Sequence, residues 1–237
     1  MEIVGIIPVR AGSKRIPDKW KAKINGVPLS MITLALADKL YKRGYLSSIL
    51  VTSDSEDFLM SFYGDGYVRD HAFPISDTDQ IESRLITLFN ERKALDLDPV
   101  ICCMLQITSP LRTFDDVVGA IELFGATMAE NPGKSIAVVS CWETRAFEWR
   151  WGTLGKKIIP TYDLKKRPTT QEKSKDQGWS SLYENGAIYI FESDQLLKTG
   201  TRLTADIVVP YIMPHERSHE IDTPEDIALV ERLLGNT

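Results

Sequence analysis

From residue 3 to about residue 141 the chain alternates short apolar runs with segments whose apolar residues recur at helical spacing, and few folds accept that rhythm. Alternation of strand and helix implies a parallel sheet with crossover helices. The first run, residues 3–9, reads as a buried strand. Residues 29–41 carry Leu29, Ile32, Leu36 and Leu40 at helical spacing, residues 48–53 read as a second strand, and the acidic residues from Asp54 suit the start of another helix. A short strand at 67–69, an amphipathic helix over roughly 80–95, a third buried strand at 99–105, a helix capped by Thr113 and running to about 130, and a strand at 134–141 continue the pattern. The rhythm then breaks. Residues 147–151 and 156–161 read as a hairpin, 163–178 as a mobile loop, and 186–191 and 207–213 as further strands. Thr223-Pro224-Glu225-Asp226 opens a last helix with a cap, a proline at the first position and acidic residues near the positive end. The expectation is one domain over 1–237, with 142–180 as a hairpin and loop extension. Trp142, Trp149 and Trp151 concentrate there, as satellite core or as a subunit interface.

The chain has 237 residues, 43% of them hydrophobic and 26% charged, enough for a full core. Its net charge of −5 argues against a general nucleic-acid binder and for a small anionic partner held locally. No apolar stretch has the length of a membrane span, and residues 1–4 begin a strand without the pattern of a signal peptide, so a cytosolic protein is expected. Cys102 and Cys103 are adjacent in a strand and should face opposite sides, and with an odd cysteine count neither a disulfide nor a cysteine metal site is expected.

Against the acidic background, residues 8–20 (PVRAGSKRIPDKW) gather Arg10, Lys14, Arg15 and Lys19 around Gly12 and Ser13 in a loop leaving the first strand. Flexible backbone, free N–H groups and several cations suit a polyphosphate, and open α/β sheets bind ligands at that edge. The alternative is a merely solvated basic loop. The spacing is not that of a Walker A loop, which disfavours a P-loop ATPase. A second polar loop, residues 106–112 (QITSPLR), leaves the third buried strand at the same edge. Glu220 and Asp222 are two apart in an extended segment, so both carboxylates can face one divalent cation, unless Asp222 only caps the last helix. His215-Glu216-Arg217-Ser218-His219 matches the zinc-protease pattern, but Pro214 before it and the helix start after it make a loop the expected context, where that chemistry fails. A nucleotidyl-transferring enzyme, a zinc peptidase and a non-catalytic nucleotide-sugar binder remain as classes.

Five segments in order, IIPVRAGSKRIPDK, VTSDSE, QITSPLRT, ENGAIYIF and EIDTPEDI, resemble the acylneuraminate cytidylyltransferases, the CMP-sialic acid synthetases. The resemblance implies an α/β fold with a Rossmann-like, mostly parallel sheet, flanking helices and a projecting β-hairpin dimerisation extension. It implies a homodimer, and transfer of CMP from CTP to the anomeric hydroxyl of a 2-keto sugar acid with Mg2+. On the matching positions, Arg10, Ser13, Lys14 and Lys19 fall in the triphosphate loop and Asp222, assisted by Glu220, at the metal position. Gln106, Thr108, Ser109 and Arg112 match the loop lining the nucleotide and sugar site, and Asn185 and Tyr189 the strand bordering the sugar. Arg69 and Asp77 look similar to the base-binding arginine and the aspartate after it, and Arg167 to a carboxylate-binding residue. The chain departs from the family pattern at Trp20, usually asparagine, at Ile107, usually proline, and at Glu220, usually aspartate.

Overall fold

A computed structural model of the chain describes residues 2–10, 12–61, 67–70, 81–95, 97–144, 148–151, 157–166 and 181–235. Its strands are β1 (Ile3–Val9), the two-residue β2 (Lys23–Ile24) and β3 (Val27–Pro28), β4 (Ser48–Ser53), β5 (Tyr67–Asp70), β6 (Ile101–Leu105), β7 (Ile136–Thr144), β8 (Trp149–Trp151), β9 (Ile158–Pro160), β10 (Ser181–Glu192) and β11 (Ile207–Ile212). The helices are α1 (Leu29–Lys42), α2 (Glu56–Met60), α3 (Ile81–Ala94), α4 (Phe114–Glu130), α5 (Ser193–Thr199) and α6 (Pro224–Gly235). Seven strands form one sheet in the order β11-β7-β10-β6-β1-β4-β5. Every pairing is parallel except those of β10, which runs antiparallel to both β6 and β7.

The continuous apolar runs of β1, β4 and β6 follow from burial on both faces. On one face Ile7, Val9, Ile49, Val51, Cys103 and Leu105 pack against Leu34, Ala37 and Leu40 of α1 and Val117, Ala120 and Phe124 of α4. On the other, Ile6, Leu50, Cys102 and Met104 meet Leu85 and Phe89 of α3 and Leu196 of α5. Cys102 and Cys103 thus face opposite layers, and both are buried free thiols. A smaller cluster of Ile16, Ile24, Leu29, Leu111, Ile221 and Val230 pins α6 and the β2–β3 hairpin beside the loop that follows β1.

Two features differ from the sequence expectation. The strand expected at 186–191 begins at Ser181 and reverses the sheet's direction, and α5 follows it directly. Side-chain pattern carries no strand direction, and seven residues are too few for helical periodicity to show. β7 continues to Thr144, so Trp142 belongs to the central sheet, where it stacks on Tyr183 of β10 with ring centroids 5.1 Å apart. The hairpin lies beyond it as an antiparallel pair, β8 with β9. Most of the expected loop at 163–178 lies outside the described residues, as do Asp77 and Arg167.

Candidate active site

The loop after β1 and the loop after β6 meet as the crossover rule requires, at the carboxyl ends of neighbouring strands. Between them opens a cleft of about 460 Å³ lined by Pro8, Val9, Arg10, Gly12, Ser13, Lys14, Arg15, Lys19, Thr52, Ile81, Met104, Gln106, Ile107, Thr108 and Asp222. The cationic loop therefore faces a concavity. Trp20 does not intrude: it is 9% exposed and turns into the core, edge-on to Phe58 of α2 with ring centroids 5.0 Å apart.

Asp222 is delivered to the cleft from the far end of the chain. Ile221, fully buried, donates its N–H to the Thr108 carbonyl at 2.7 Å and ties this segment to the loop after β6. Asp222 then presents Oδ1 to Lys19 Nζ at 3.0 Å and Oδ2 to Arg15 Nη1 at 2.8 Å. Its carboxylate does not cap α6. That role falls to Asp226, whose Oδ2 accepts from the N–H groups of Asp222 and Thr223 and from the Thr223 hydroxyl. Lys19 also donates to the Ile221 carbonyl at 2.9 Å and its side chain is only 12% exposed, so it is not a solvated loop lysine.

Glu220 sits behind Asp222, over Gly186 of β10. A Cβ built on Gly186 would come within 1.7 Å of Glu220 Oε1, and the glycine's φ is +64°. Both facts require glycine there, and the ladder of β10 with β7 shifts register between Glu184 and Tyr189 to make the bulge. Asn185, 2% exposed, holds it: Oδ1 accepts from the Ser140 hydroxyl at 2.6 Å and Nδ2 donates to Ser218 Oγ at 2.9 Å. Burial, with the charges of Asp222 and Glu184 nearby, pushes the Glu220 carboxyl up to about 7.

Of the two carboxylates expected to share a divalent cation, Asp222 lines the cleft, whereas Glu220 is not among its lining residues. Mg2+ takes one or two carboxylates together with water and substrate phosphates, and the Asp222 carboxylate, which here bonds Lys19 and Arg15, fits that part. Among the described residues no third His, Cys, Asp or Glu joins a metal-holding group. The zinc-protease pattern lies on a single 3-10 turn, His215–Arg217, and the loop after it, not on an α-helix. Arg217 there forks onto Asp116 of α4, Nε to Oδ2 at 3.0 Å and Nη2 to Oδ1 at 2.7 Å, and so fastens the segment that carries Glu220 and Asp222.

Of the residues singled out from sequence, the cleft brings together Arg10, Ser13, Lys14, Lys19, Gln106, Thr108 and Asp222. Ser109, Arg112, Asn185 and Tyr189 are buried beneath it. Arg112 donates to the Gln106 and Ala187 carbonyls and to Thr33 Oγ1, locking the second loop to β10 and α1, and burial pushes its guanidinium down to about 10. The Tyr189 hydroxyl donates to Glu184, and the Arg202 guanidinium lies 4.2 Å from the centre of its ring. Arg69 is not among the cleft residues; its Nη1 lies 3.8 Å from Met60 Sδ. Arg15 as a partner of Asp222 and Thr52 as a cleft residue were not anticipated. The tandem Lys14-Arg15 was the one available signal for the first.

A family profile described as cytidylyltransferase matches residues 4–233, nearly the whole chain. The chain belongs to the cytidylyltransferase family. A CMP-N,N'-diacetyllegionaminic acid synthase of Legionella pneumophila is 28% identical over 240 residues, covering 99% of this chain and 97% of that protein. An N-acylneuraminate cytidylyltransferase of Streptococcus agalactiae is 26% identical and covers 95% of this chain, which spans only 52% of that longer protein. Among solved structures, a CMP:2-keto-3-deoxy-manno-octonic acid synthetase complexed with CTP aligns with a TM-score of 0.62 at 18% identity, over 100% of this chain and 99% of its own. A 4-diphosphocytidyl-2C-methyl-D-erythritol synthase from Anaerococcus prevotii aligns with a TM-score of 0.56 at 15% identity, over 99% and 98%. The sheet with its flanking helices is thus the cytidylyltransferase fold, and the chain is a cytidylyltransferase.

Proposed function

We propose that this cytidylyltransferase activates a 2-keto sugar acid, sialic acid or a related nonulosonate, by attack of its anomeric hydroxyl on the α-phosphate of CTP, giving the CMP-sugar and pyrophosphate. The observation that carries this is the position of Asp222 on the same cleft wall as Lys19, in a cavity that also holds Arg10 and Lys14. Displacement at phosphorus is catalysed mainly by positioning and by charge stabilisation, and the cleft supplies both. Arg10, Lys14 and Lys19 neutralise charge growing on the departing pyrophosphate. Asp222 and Glu220 would hold Mg2+, which when bound polarises the phosphoryl oxygens and lowers the proton affinity of a hydroxyl beside it. Gln106 and Thr108 orient the sugar from the facing loop. Arg112, Asn185 and the bulge at Gly186 keep that wall rigid.

The sugar-acid class is supported by the end-to-end match to the legionaminic acid relative. A homodimer belongs to the same reading, supported by the exposed apolar residues of the β8–β9 hairpin, and so does a cytosolic location, where a CTP-consuming reaction meets its nucleotide pool. Pyrophosphate release, measured over four nucleoside triphosphates and a panel of sialic, legionaminic, pseudaminic and 3-deoxy-octulosonic acids with Mg2+, tests the proposal. Release that requires both CTP and one of the sugar acids is expected. Release with another triphosphate in place of CTP, or with none of the sugars, overturns it.

A further inference from the structure

One polar group of the cleft lies apart from the residues assigned to the triphosphate and the metal. Thr52 lies near the end of β4, on the far side of β1 from β6 and the Asp222 segment. Two strand spacings separate it from that side, roughly 10 Å, about the reach of a nucleoside. Its neighbours in the cleft wall include Pro8, Ile81 and Met104, an apolar setting suited to the faces of a nucleobase.

Thr52 is 3% exposed and its hydroxyl donates to Asp70 Oδ2 at 2.8 Å. Asp70 is its register partner on β5. Arg84 of α3 grips that carboxylate through both oxygens, Nε to Oδ2 at 2.6 Å and Nη2 to Oδ1, and both partners of the pair are buried. A hydroxyl has one proton to give and two lone pairs to offer. With the proton aimed at a carboxylate that only accepts, Thr52 has nothing but lone pairs left for the cleft. Turning the proton round would take a partner from a buried carboxylate, a costly exchange.

We infer that Thr52, fixed by Asp70 and Arg84, reads the nucleobase as an acceptor and selects an exocyclic amine, such as cytosine carries, over the carbonyl oxygen at the same ring position of uracil. The inference rests on the CTP reading above. A carbonyl set against Thr52 leaves two acceptors facing each other without a proton between them, and a site built for a donor rejects the analogue that lacks one. Asp70 and Arg84 are positioning residues that act through Thr52.

Three variants of the full chain test this, with CTP and UTP binding followed by calorimetry and turnover by pyrophosphate release. Thr52→Val keeps the shape and removes the hydroxyl; about tenfold of the preference for CTP over UTP should disappear, in Kd and KM rather than in kcat. Thr52→Ser should keep the preference. Asp70→Leu combined with Arg84→Met removes the acceptor without stranding a buried charge and frees the Thr52 proton for the cleft, so UTP should bind more tightly than it does to the parent. Wild-type preference in both Thr52→Val and the double variant, or an equal loss with both nucleotides confined to kcat, overturns the inference. A parent enzyme that itself does not prefer CTP overturns the CTP reading instead.

Discussion

At the scale of single residues, Asp222 separates a chemical role from a structural one. Its side chain bonds Lys19 and Arg15 while Asp226 does the capping, so Asp222→Asn should move the melting temperature by no more than a few degrees. Turnover should fall on the order of a hundredfold, the cost of one lost charge-stabilising interaction. Melting curves and rates at limiting Mg2+ check both halves, and a wild-type rate would remove Asp222 from the metal site. Lys19→Ala should slow pyrophosphate release as well, but with a stability loss of about 1 kcal/mol, because the lysine side chain is largely buried and makes two hydrogen bonds, one of them to the half-exposed Asp222. The basic residues of this site were legible in sequence because they are neighbours in it. Thr52, Asp70 and Arg84 were not: they come from β4, β5 and α3, and only register and packing bring them together.

At the scale of elements, the start of α4 shows how one cap serves two purposes. Thr113 and Asp116 form a reciprocal capping box, and Arg217 adds a fork to the same carboxylate. Burial pushes the Asp116 carboxyl upward, but the bonds from Arg217 and Thr113 outweigh it and hold the group below the usual carboxylate range. A depressed folded value contributes stability that is present above the unfolded value, near 4, and is lost as pH falls through the folded one. Arg217→Ala should therefore destabilise the protein at neutral pH by about 1–2 kcal/mol, discounted because the Arg217 side chain is 39% exposed. It should also move the acid-unfolding midpoint to higher pH. Denaturant melts at pH 7 and pH 4 measure the two effects, and an unmoved acid midpoint would detach Arg217 from Asp116. The cap itself was legible from Thr113, and so were helices α1 and α4, whose apolar stripes are long. The partner Arg217 was hidden inside a pattern that advertises zinc chemistry, because its distance of 101 residues from Asp116 leaves no local trace.

At the scale of the molecule, the hairpin is the outlying part. Trp151 is 72% exposed, Ile158 54% and Ile159 42%, a density of apolar surface that two three-residue strands cannot cover on their own. Sedimentation should find a dimer at micromolar concentration and a monomer for Trp151→Asp, with the far-UV spectrum unaltered. A dimer that survives the substitution would place the interface elsewhere. The parallel layering was readable from the βα rhythm, whereas the reversal at β10 was not, and that reversal governs how the chain can be made. Among the described strands, β7 and β11 connect to the rest of the sheet only through β10. While the ribosome is still short of Ser181, β6 has an open edge and β7 has no partner at all. The nascent chain must hold two unfinished apolar layers apart until its last quarter emerges, and a chain halted before that point is left with bare strand edges for other chains to pair with.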